Sequence, residues 1–140
     1  MKAIIDTNII IDVILQREEF LENSYQTILL ASQKRFDGFI ISSAVSDIYY
    51  IIRKNLSDSK MARQAIADIA ELVSICDTRS IDISAALVSD MPDFEDAIVA
   101  AVAKREKADY IVTRNSRDFQ NSPIPALTPK EFLNKIENQD

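Results

Sequence analysis

"MPDFEDAIVAAVA", residues 91–103, predicts a helix that is apolar on nearly every side. Phe94, Ile98 and Val102 recur at helical spacing, and the residues between Ile98 and Lys104 are all alanine or valine. A helix that lacks a polar face is covered by the rest of the protein. The stretch therefore predicts a buried helix over 94–104, whose acidic first turn also approaches the interior.

Outward from this helix, short apolar runs alternate with helical patterns along the whole chain. Strands alternating with helices predict an α/β fold with a mostly parallel sheet that is covered on both faces. Strands are predicted at 2–6, 38–42, 72–76 and 109–113, with a short edge strand at 125–128. One further helix is predicted at 19–34, and others begin at Ser43, at Ser57 or Asp58, and at Ser80. A last helix is predicted near the end of the sequence, where a capping box is followed by Pro129 at the first helical position.

The apolar spacing of these helices predicts which faces point inward. In the helix at 19–34, the inward stripe comprises Leu21, Tyr25, Ile28, Leu29 and Ser32. In the short helix from Ser80, it comprises Ile81, Ala85 and Val88.

Composition narrows the possible chemistry. The 140 residues predict one domain over 1–140, and they include no histidine and a single glycine. Imidazole-based catalysis, histidine zinc sites and glycine-rich phosphate loops are therefore excluded. The net charge of −6 argues against broad electrostatic capture of nucleic acid, but it allows an acidic pocket filled by divalent cations.

The chain also carries signals about its compartment. A single cysteine, Cys76, excludes an internal disulfide and is typical of a reducing cytoplasm. No leader-like segment and no run long enough to span a bilayer is evident. A cytoplasmic protein without a membrane partner is therefore expected.

Carboxylates follow the predicted strands. Asp6 ends the first strand, Asp47 lies in the first turn after the second, and Asp118 comes shortly after the fourth. Asp96 joins them from the start of the buried helix. Because ligands of an open α/β sheet bind beyond the carboxyl ends of its strands, these four acids are expected at one edge. Crowded carboxylates repel one another unless a cation lies between them, so Mg²⁺ or Mn²⁺ is the expected partner.

Each acid also has an ordinary structural interpretation. Asp6 and Asp118 are compatible with turns, and Asp47 with a solvated helix start. Asp93 is expected to cap the buried helix and Glu95 to complement its dipole, and the ordinary interpretation of Asp96 is that it complements this dipole too. Arg114 and Arg117, near the same predicted edge, are candidates for a phosphate or RNA-backbone contact, with solvated surface charge as the alternative.

Five motifs, in order along the chain, resemble the PIN domain family. They are "IIDTNIIIDVIL" at 4–15, "ISSAVSDIYYIIRK" at 41–54, "DFEDAIVAAVA" at 93–103, "DYIVTRNSRDF" at 109–119 and "SPIPALTPKEFL" at 122–133. The similarity is strongest to the VapC-like branch of small bacterial PIN proteins, which are toxins of type II toxin–antitoxin pairs. It implies a three-layer α/β/α fold with about five strands and an endoribonuclease that depends on Mg²⁺ or Mn²⁺.

The resemblance also implies roles for individual residues. Asp6 and Asp96 match acids of the family, and Asp47 falls where many members have glutamate. Asp118 is the expected fourth catalytic and metal-binding acid. Asn8, Thr113 and Asn115 are expected as supporting polar groups, with Asn115 as the alternative fourth site residue because many relatives have aspartate there.

Partners follow from the same resemblance: an RNA substrate, a cognate antitoxin and a second copy of the chain in a homodimer. Two other functions remain open at this point. One is a catalytically silent PIN module that binds nucleic acid or acts as a scaffold. The other is a structure-specific DNA nuclease with the same metal site.

Overall fold

The computed structural model describes residues 1–139 and contains a five-stranded, fully parallel sheet. The α/β prediction is therefore confirmed. The strands are β1 Lys2–Ile5, β2 Asp37–Ile41, β3 Ser74–Cys76, β4 Tyr110–Val112 and β5 Ala126–Leu127. Their order across the sheet is β3-β2-β1-β4-β5. The helices are α1 Thr7–Ile14, α2 Glu18–Ser32, α3 Ser42–Leu56, α4 Ser59–Leu72, α5 Ser80–Leu87, α6 Phe94–Arg105 and α7 Pro129–Glu137, with a 3₁₀ turn at Ser116–Phe119.

The central strand β1 divides the protein into two cores. Ala3 and Ile5 point into a core formed with α1, α2, α3, α4 and α7, whereas Ile4 points into a second core formed with α5 and α6. This alternation follows from the two-residue period of a strand. The sheet is thus covered on both faces, as a three-layer α/β/α arrangement requires.

The buried helix predicted from residues 91–103 is α6. Ala97, Ala100 and Ala103 are at most 2% exposed, and the helix packs on both β1 and β4. Asp93 caps it by accepting a hydrogen bond from the Asp96 backbone N–H at 2.9 Å, as predicted. The small alanine side chains let the helix lie close to the sheet and bring its first turn to the end of β1.

Helix α7 begins as its sequence predicts. Thr128 accepts a hydrogen bond from the Glu131 backbone N–H, and the Glu131 carboxylate accepts one from the Thr128 N–H. Pro129 occupies the first helical position. The helix inserts Phe132, which is fully buried, against the ring of Phe36 at a centroid distance of 4.7 Å.

One predicted helix face was wrong in part and another was wrong. In α2, the predicted aliphatic residues are buried or half-buried, but Tyr25 is 49% exposed, and Ser24 and Thr27 are buried in its place. Both hydroxyls are satisfied: Ser24 donates to the Asp12 carboxylate at 3.2 Å, and Thr27 donates to the Asn23 carbonyl at 2.8 Å. A polar residue with its hydrogen bond made can be buried at little cost.

In α5, the predicted inward residues Ile81 and Val88 are 65% and 84% exposed. Asp82 is buried instead, because the Arg105 guanidinium donates to both of its carboxylate oxygens, at 2.9 and 3.0 Å. This ion pair between α5 and α6 outweighs the apolar periodicity of a short helix. Strand β3 also begins two residues later than predicted, because Leu72 ends α4.

The single glycine, Gly38, lies where α2 approaches the sheet. A Cβ atom at this position would lie 2.9 Å from the Ala31 Cβ and about as close to Phe36 and Ile5. We expect Gly38→Ala to lower the free energy of unfolding by about 1–3 kcal/mol through overpacking. Urea unfolding measures the effect, and the exposed neighbour Asp37→Ala, expected to change stability by less than about 0.5 kcal/mol, is the control. Equal stability of the two variants would contradict this packing.

Candidate active site

Asp6 lies at the carboxyl end of β1, where the strand passes directly into α1. One of its carboxylate oxygens accepts a hydrogen bond from the Thr7 backbone N–H at 2.8 Å and so caps the helix. The other accepts a hydrogen bond from the Thr113 hydroxyl at 2.8 Å and one from the Asn8 amide at 3.3 Å. The structure therefore places two of the predicted supporting groups on the first acid.

These contacts connect the ends of two adjacent strands. Thr113 directly follows β4 and is fully buried, and the Asn8 amide also donates to its hydroxyl. The side-chain amide oxygen (Oδ1) of Asn8 accepts a hydrogen bond from the Arg114 backbone N–H at 3.3 Å. Burial raises the pKa of Asp6, while hydrogen bonds from Thr113 and Thr7 oppose that rise.

Asp96 is half-buried in the first turn of α6. Among residues 1–139, no side chain donates a hydrogen bond to its carboxylate or forms an ion pair with it. Burial, followed by the negative charges of Asp93, Asp6 and Asp118, raises its pKa to about 7. The fold thus holds an uncompensated acid beside other acids.

Asp47 reaches the same place from α3. Its side chain is exposed, and with Asp6 and Asp96 it lines one cavity of about 660 Å³. Asn115, from the loop after β4, lines this cavity as well. Three of the four predicted acids are therefore brought together.

Asp118 lies beside this group on the exposed 3₁₀ turn. It lines a neighbouring depression with Arg117 and Glu131, and Asn115 borders both cavities. Its charge nevertheless contributes to the raised pKa of Asp96. Of the two candidates for the fourth site residue, Asn115 thus lies in the wall of the cavity, whereas Asp118 lies outside it in the neighbouring depression.

The acids line a shared cavity but do not form a closed cage. Within the described part of the chain, no three carboxylate, cysteine or histidine side chains stand close enough to enclose a metal ion. The oxygen-only donors nevertheless fit a hard divalent cation, since the Asp96 carboxylate is unpaired and repelled by its neighbours.

Arg114 is occupied by intramolecular contacts. Its Nε atom lies 2.8 Å from the carboxylate of Asp12, which is fully buried in α1, and its guanidinium lies 4.0 Å from the centroid of the Phe20 ring. Arg117, the other predicted phosphate contact, is exposed and forms no ion pair among residues 1–139. The Arg114 charge thus compensates Asp12, which leaves Arg117 as the free guanidinium of that loop.

Sequence reasoning missed Arg17. Arg17 lines the acidic cavity, its side chain is 42% exposed, and its guanidinium lies 3.9 Å from the Asp12 carboxylate. The residue follows Gln16, whose positive φ of 51° turns the chain sharply between α1 and α2. Nothing in the spacing indicated this placement, because it depends on the angle between two helices.

We expect Arg114→Ala to destabilise the fold by about 3–5 kcal/mol, because it leaves the buried Asp12 carboxylate without its close partner. Denaturant unfolding measures the loss. Arg117→Ala, which removes an exposed guanidinium from the same loop, is the matched control and should unfold like the wild type. An Arg114→Ala variant as stable as this control would show that the ion pair does not hold the loop.

The raised pKa of Asp96 predicts that stability depends on pH. The folded protein retains this proton up to about pH 7, whereas an ordinary aspartate loses it near 3.8. The free energy of unfolding should therefore fall as the pH rises through that interval. Asp96→Asn should weaken this fall, as measured by urea unfolding between pH 4 and 8. Asp68→Asn, on the exposed surface of α4, should keep the wild-type slope, and identical profiles for all three proteins would contradict the assignment.

Comparison with known proteins identifies the family that this sequence matches. A family model for the PIN domain matches residues 2–117. The chain is 25% identical to Ribonuclease VapC1 from Aquifex aeolicus over 139 residues, which cover 96% of this chain and 94% of that protein.

Solved structures share the fold. One is VapBC2 from Rickettsia felis bound to a DNA fragment from its promoter, with 17% identity and a TM-score of 0.71 over 91% of this chain and 98% of that one. Another is a toxin–antitoxin complex from Klebsiella pneumoniae, with 22% identity and a TM-score of 0.67 over 91% of this chain and 97% of that one. At these identities, the likeness shows a common architecture.

Proposed function

The chain belongs to the PIN domain family, and we propose that it is a metal-dependent endoribonuclease that acts as the toxin of a toxin–antitoxin pair. One observation carries the proposal: Asp6, Asp47 and Asp96 line a single cavity at the carboxyl edge of the sheet. The 25% sequence identity to Ribonuclease VapC1 supports ribonuclease activity in particular.

Asp6, Asp47 and Asp96 would hold Mg²⁺ or Mn²⁺, with Asp118 as the fourth ligand and Asn115 as the alternative. When bound, the metal supplies an activated water and charge stabilisation for phosphodiester hydrolysis. The chain contains no histidine that could take up the proton, so this chemistry needs the metal. Hydrolysis of this type leaves a 5′-phosphate and a 3′-hydroxyl.

The protein's own groups hold the reacting strand and the acids in place. Thr113 and Asn8 fix the Asp6 carboxylate through their hydrogen bonds, so that it is oriented before substrate arrives. Arg17, within the cavity, and Arg117, beside it, are positioned to pair with phosphate oxygens of the RNA. A cation would stabilise the Asp96 carboxylate, because this group is partly buried beside other acids and has no ion-pair partner among residues 1–139.

Removing either central acid should abolish cleavage without unfolding the protein. We expect Asp6→Asn and Asp96→Asn to lose more than about 100-fold of the activity, since even supporting groups of a metal site contribute about 10- to 100-fold. A panel of labelled RNAs and single-stranded DNA, incubated with Mg²⁺, Mn²⁺ or EDTA, measures this. Asp68→Asn is the control.

The outcomes of this panel separate the remaining possibilities. Metal-dependent RNA cleavage that both variants lose would support the proposal, while cleavage of DNA alone would indicate a DNA nuclease. Normal cleavage by Asp96→Asn would contradict the site.

A catalytically silent module is the second candidate. The placement of Asp118 in a neighbouring depression, outside the cavity of the other acids, favours it. Titration with Mn²⁺ distinguishes the two functions, because a silent module should bind little metal at the acidic edge.

The toxin assignment predicts three further features of the protein: a cognate antitoxin that covers the acidic cavity, a homodimer and a location in the cytoplasm. In the described residues, no helix is both long and apolar enough to cross a membrane. Co-expression with a candidate antitoxin protein, followed by pull-down and measurement of the molecular mass of the complex, tests the assembly.

A further inference from the structure

Two aromatic rings beside the acids are exposed to solvent. Tyr50 is 61% exposed and Phe94 is 46% exposed, and both line the cavity that also contains Asp6, Asp47 and Asp96. Across residues 1–139, the other strongly exposed aromatic side chain is Tyr25, which lies outside this cavity. Exposed apolar surface gathered at one place marks a binding site.

Neither ring has a partner within the described part of the protein. Tyr50 and Phe94 make no ring–ring contact, cation–π contact or hydrogen bond there, and neither packs into the two cores. The adjacent Tyr49, in contrast, packs against a core. Helix α3 therefore packs against the core through Tyr49, whereas the ring of its neighbour Tyr50 remains exposed to solvent.

Each ring lies close in sequence to an acid on its own helix. Tyr50 follows Asp47 by three residues in α3, so the two side chains share one helix face. Phe94 begins α6 two residues before Asp96, and both line the cavity although this spacing places them on different helix faces. The cavity wall thus contains one acid and one exposed ring from α3 and one acid and one exposed ring from α6.

This arrangement matches the chemistry of a nucleotide strand. Any nucleobase can stack on an aromatic ring, whereas the acids, through a cation, take the phosphodiester beside it. Bases within a duplex are stacked on one another and do not offer a free face to a side chain. The cavity volume of about 660 Å³ lies within the usual range for small-molecule pockets, about 300–1,000 Å³, and is therefore large enough for unpaired nucleotides.

We propose that Tyr50 and Phe94 form a nucleobase-stacking subsite that holds unpaired bases next to the scissile phosphodiester. The inference rests on the proposed nuclease function and assigns to that site two specificity-determining residues. An apolar segment of a protein partner is the competing occupant, which the experiment below distinguishes.

The test compares three probes on the full chain in the presence of Ca²⁺. They are a fluorescent randomised 12-nucleotide RNA, a fixed 12-nucleotide RNA annealed to its complement, and a 12-unit abasic strand. Tyr50→Ala and Phe94→Ala should each weaken single-strand binding by roughly 5- to 150-fold, the range that one stacked base contributes. Neither variant should change binding of the abasic strand. Tyr50→Phe and Phe94→Tyr keep a ring and should keep the affinity.

Tyrosine fluorescence provides an independent measurement. The chain contains four tyrosines and no tryptophan, so its emission reports tyrosine alone. Stacking of a base on Tyr50 should quench part of this emission when the single strand binds. Tyr50→Phe should lose that quenching yet retain affinity, whereas the control Tyr25→Phe should keep both. All these variants change exposed rings and should melt at the wild-type temperature.

Several results would overturn the subsite. If the wild type cleaves and binds RNA while both alanine variants match it, the rings do not contact bases and a protein segment becomes the expected occupant. Stacking would also be contradicted if the alanine variants lost as much affinity for the abasic strand as for the normal single strand. The same holds if Tyr25→Ala weakened single-strand binding as much as they do. If the wild type neither cleaves RNA nor binds any probe, the nuclease proposal itself fails, which is a distinguishable outcome.

Discussion

Parallel pairing of β1 with neighbours on both of its edges is the constraint on which the rest of the structure depends. β1 pairs with β2 through Ala3 and Gly38 and with β4 through Ile4 and Ile111, and Ala3 and Ile4 are fully buried. Because all strands run in one direction, every carboxyl end lies at the same edge. The residue after β1, Asp6, is consequently at the centre of that edge, and helices that start there converge on it.

Holding acids at this edge requires compensation elsewhere. The Asp6 carboxylate is stabilised by hydrogen bonds from Thr7, Thr113 and Asn8, and these also tie β1 to the segment after β4. That segment is in turn anchored by the contact between Arg114 and the buried Asp12. Among residues 1–139, Asp96 receives no such compensation, and burial, together with repulsion from the neighbouring acids, raises its pKa. Crowded and partly buried acids of this kind lower the stability of the fold unless a cation lies between them.

The sequence predicted the architecture well where local signals agree. The buried α6, its Asp93 cap, the α7 capping box and the parallel sheet all depend on patterns within a few residues or on the alternation of strands and helices. Short helices were less predictable. In α5, the Asp82–Arg105 ion pair reversed the inward face, since one buried charged pair imposes more constraint than three weakly amphipathic positions.

The same distinction between local sequence patterns and tertiary contacts applies to the candidate site. The sequence by itself determined that carboxylates follow strand ends and that imidazole chemistry is excluded, and it predicted a divalent cation as the partner of these acids. Only the tertiary structure decided that Arg114 is paired with Asp12 and that Asp118 lies beside the cavity rather than in it. It also decided that Arg17, Tyr50 and Phe94 line the cavity. The physical reason is that residue spacing records neighbours along one element, whereas these contacts depend on the angles and distances between separate helices and loops.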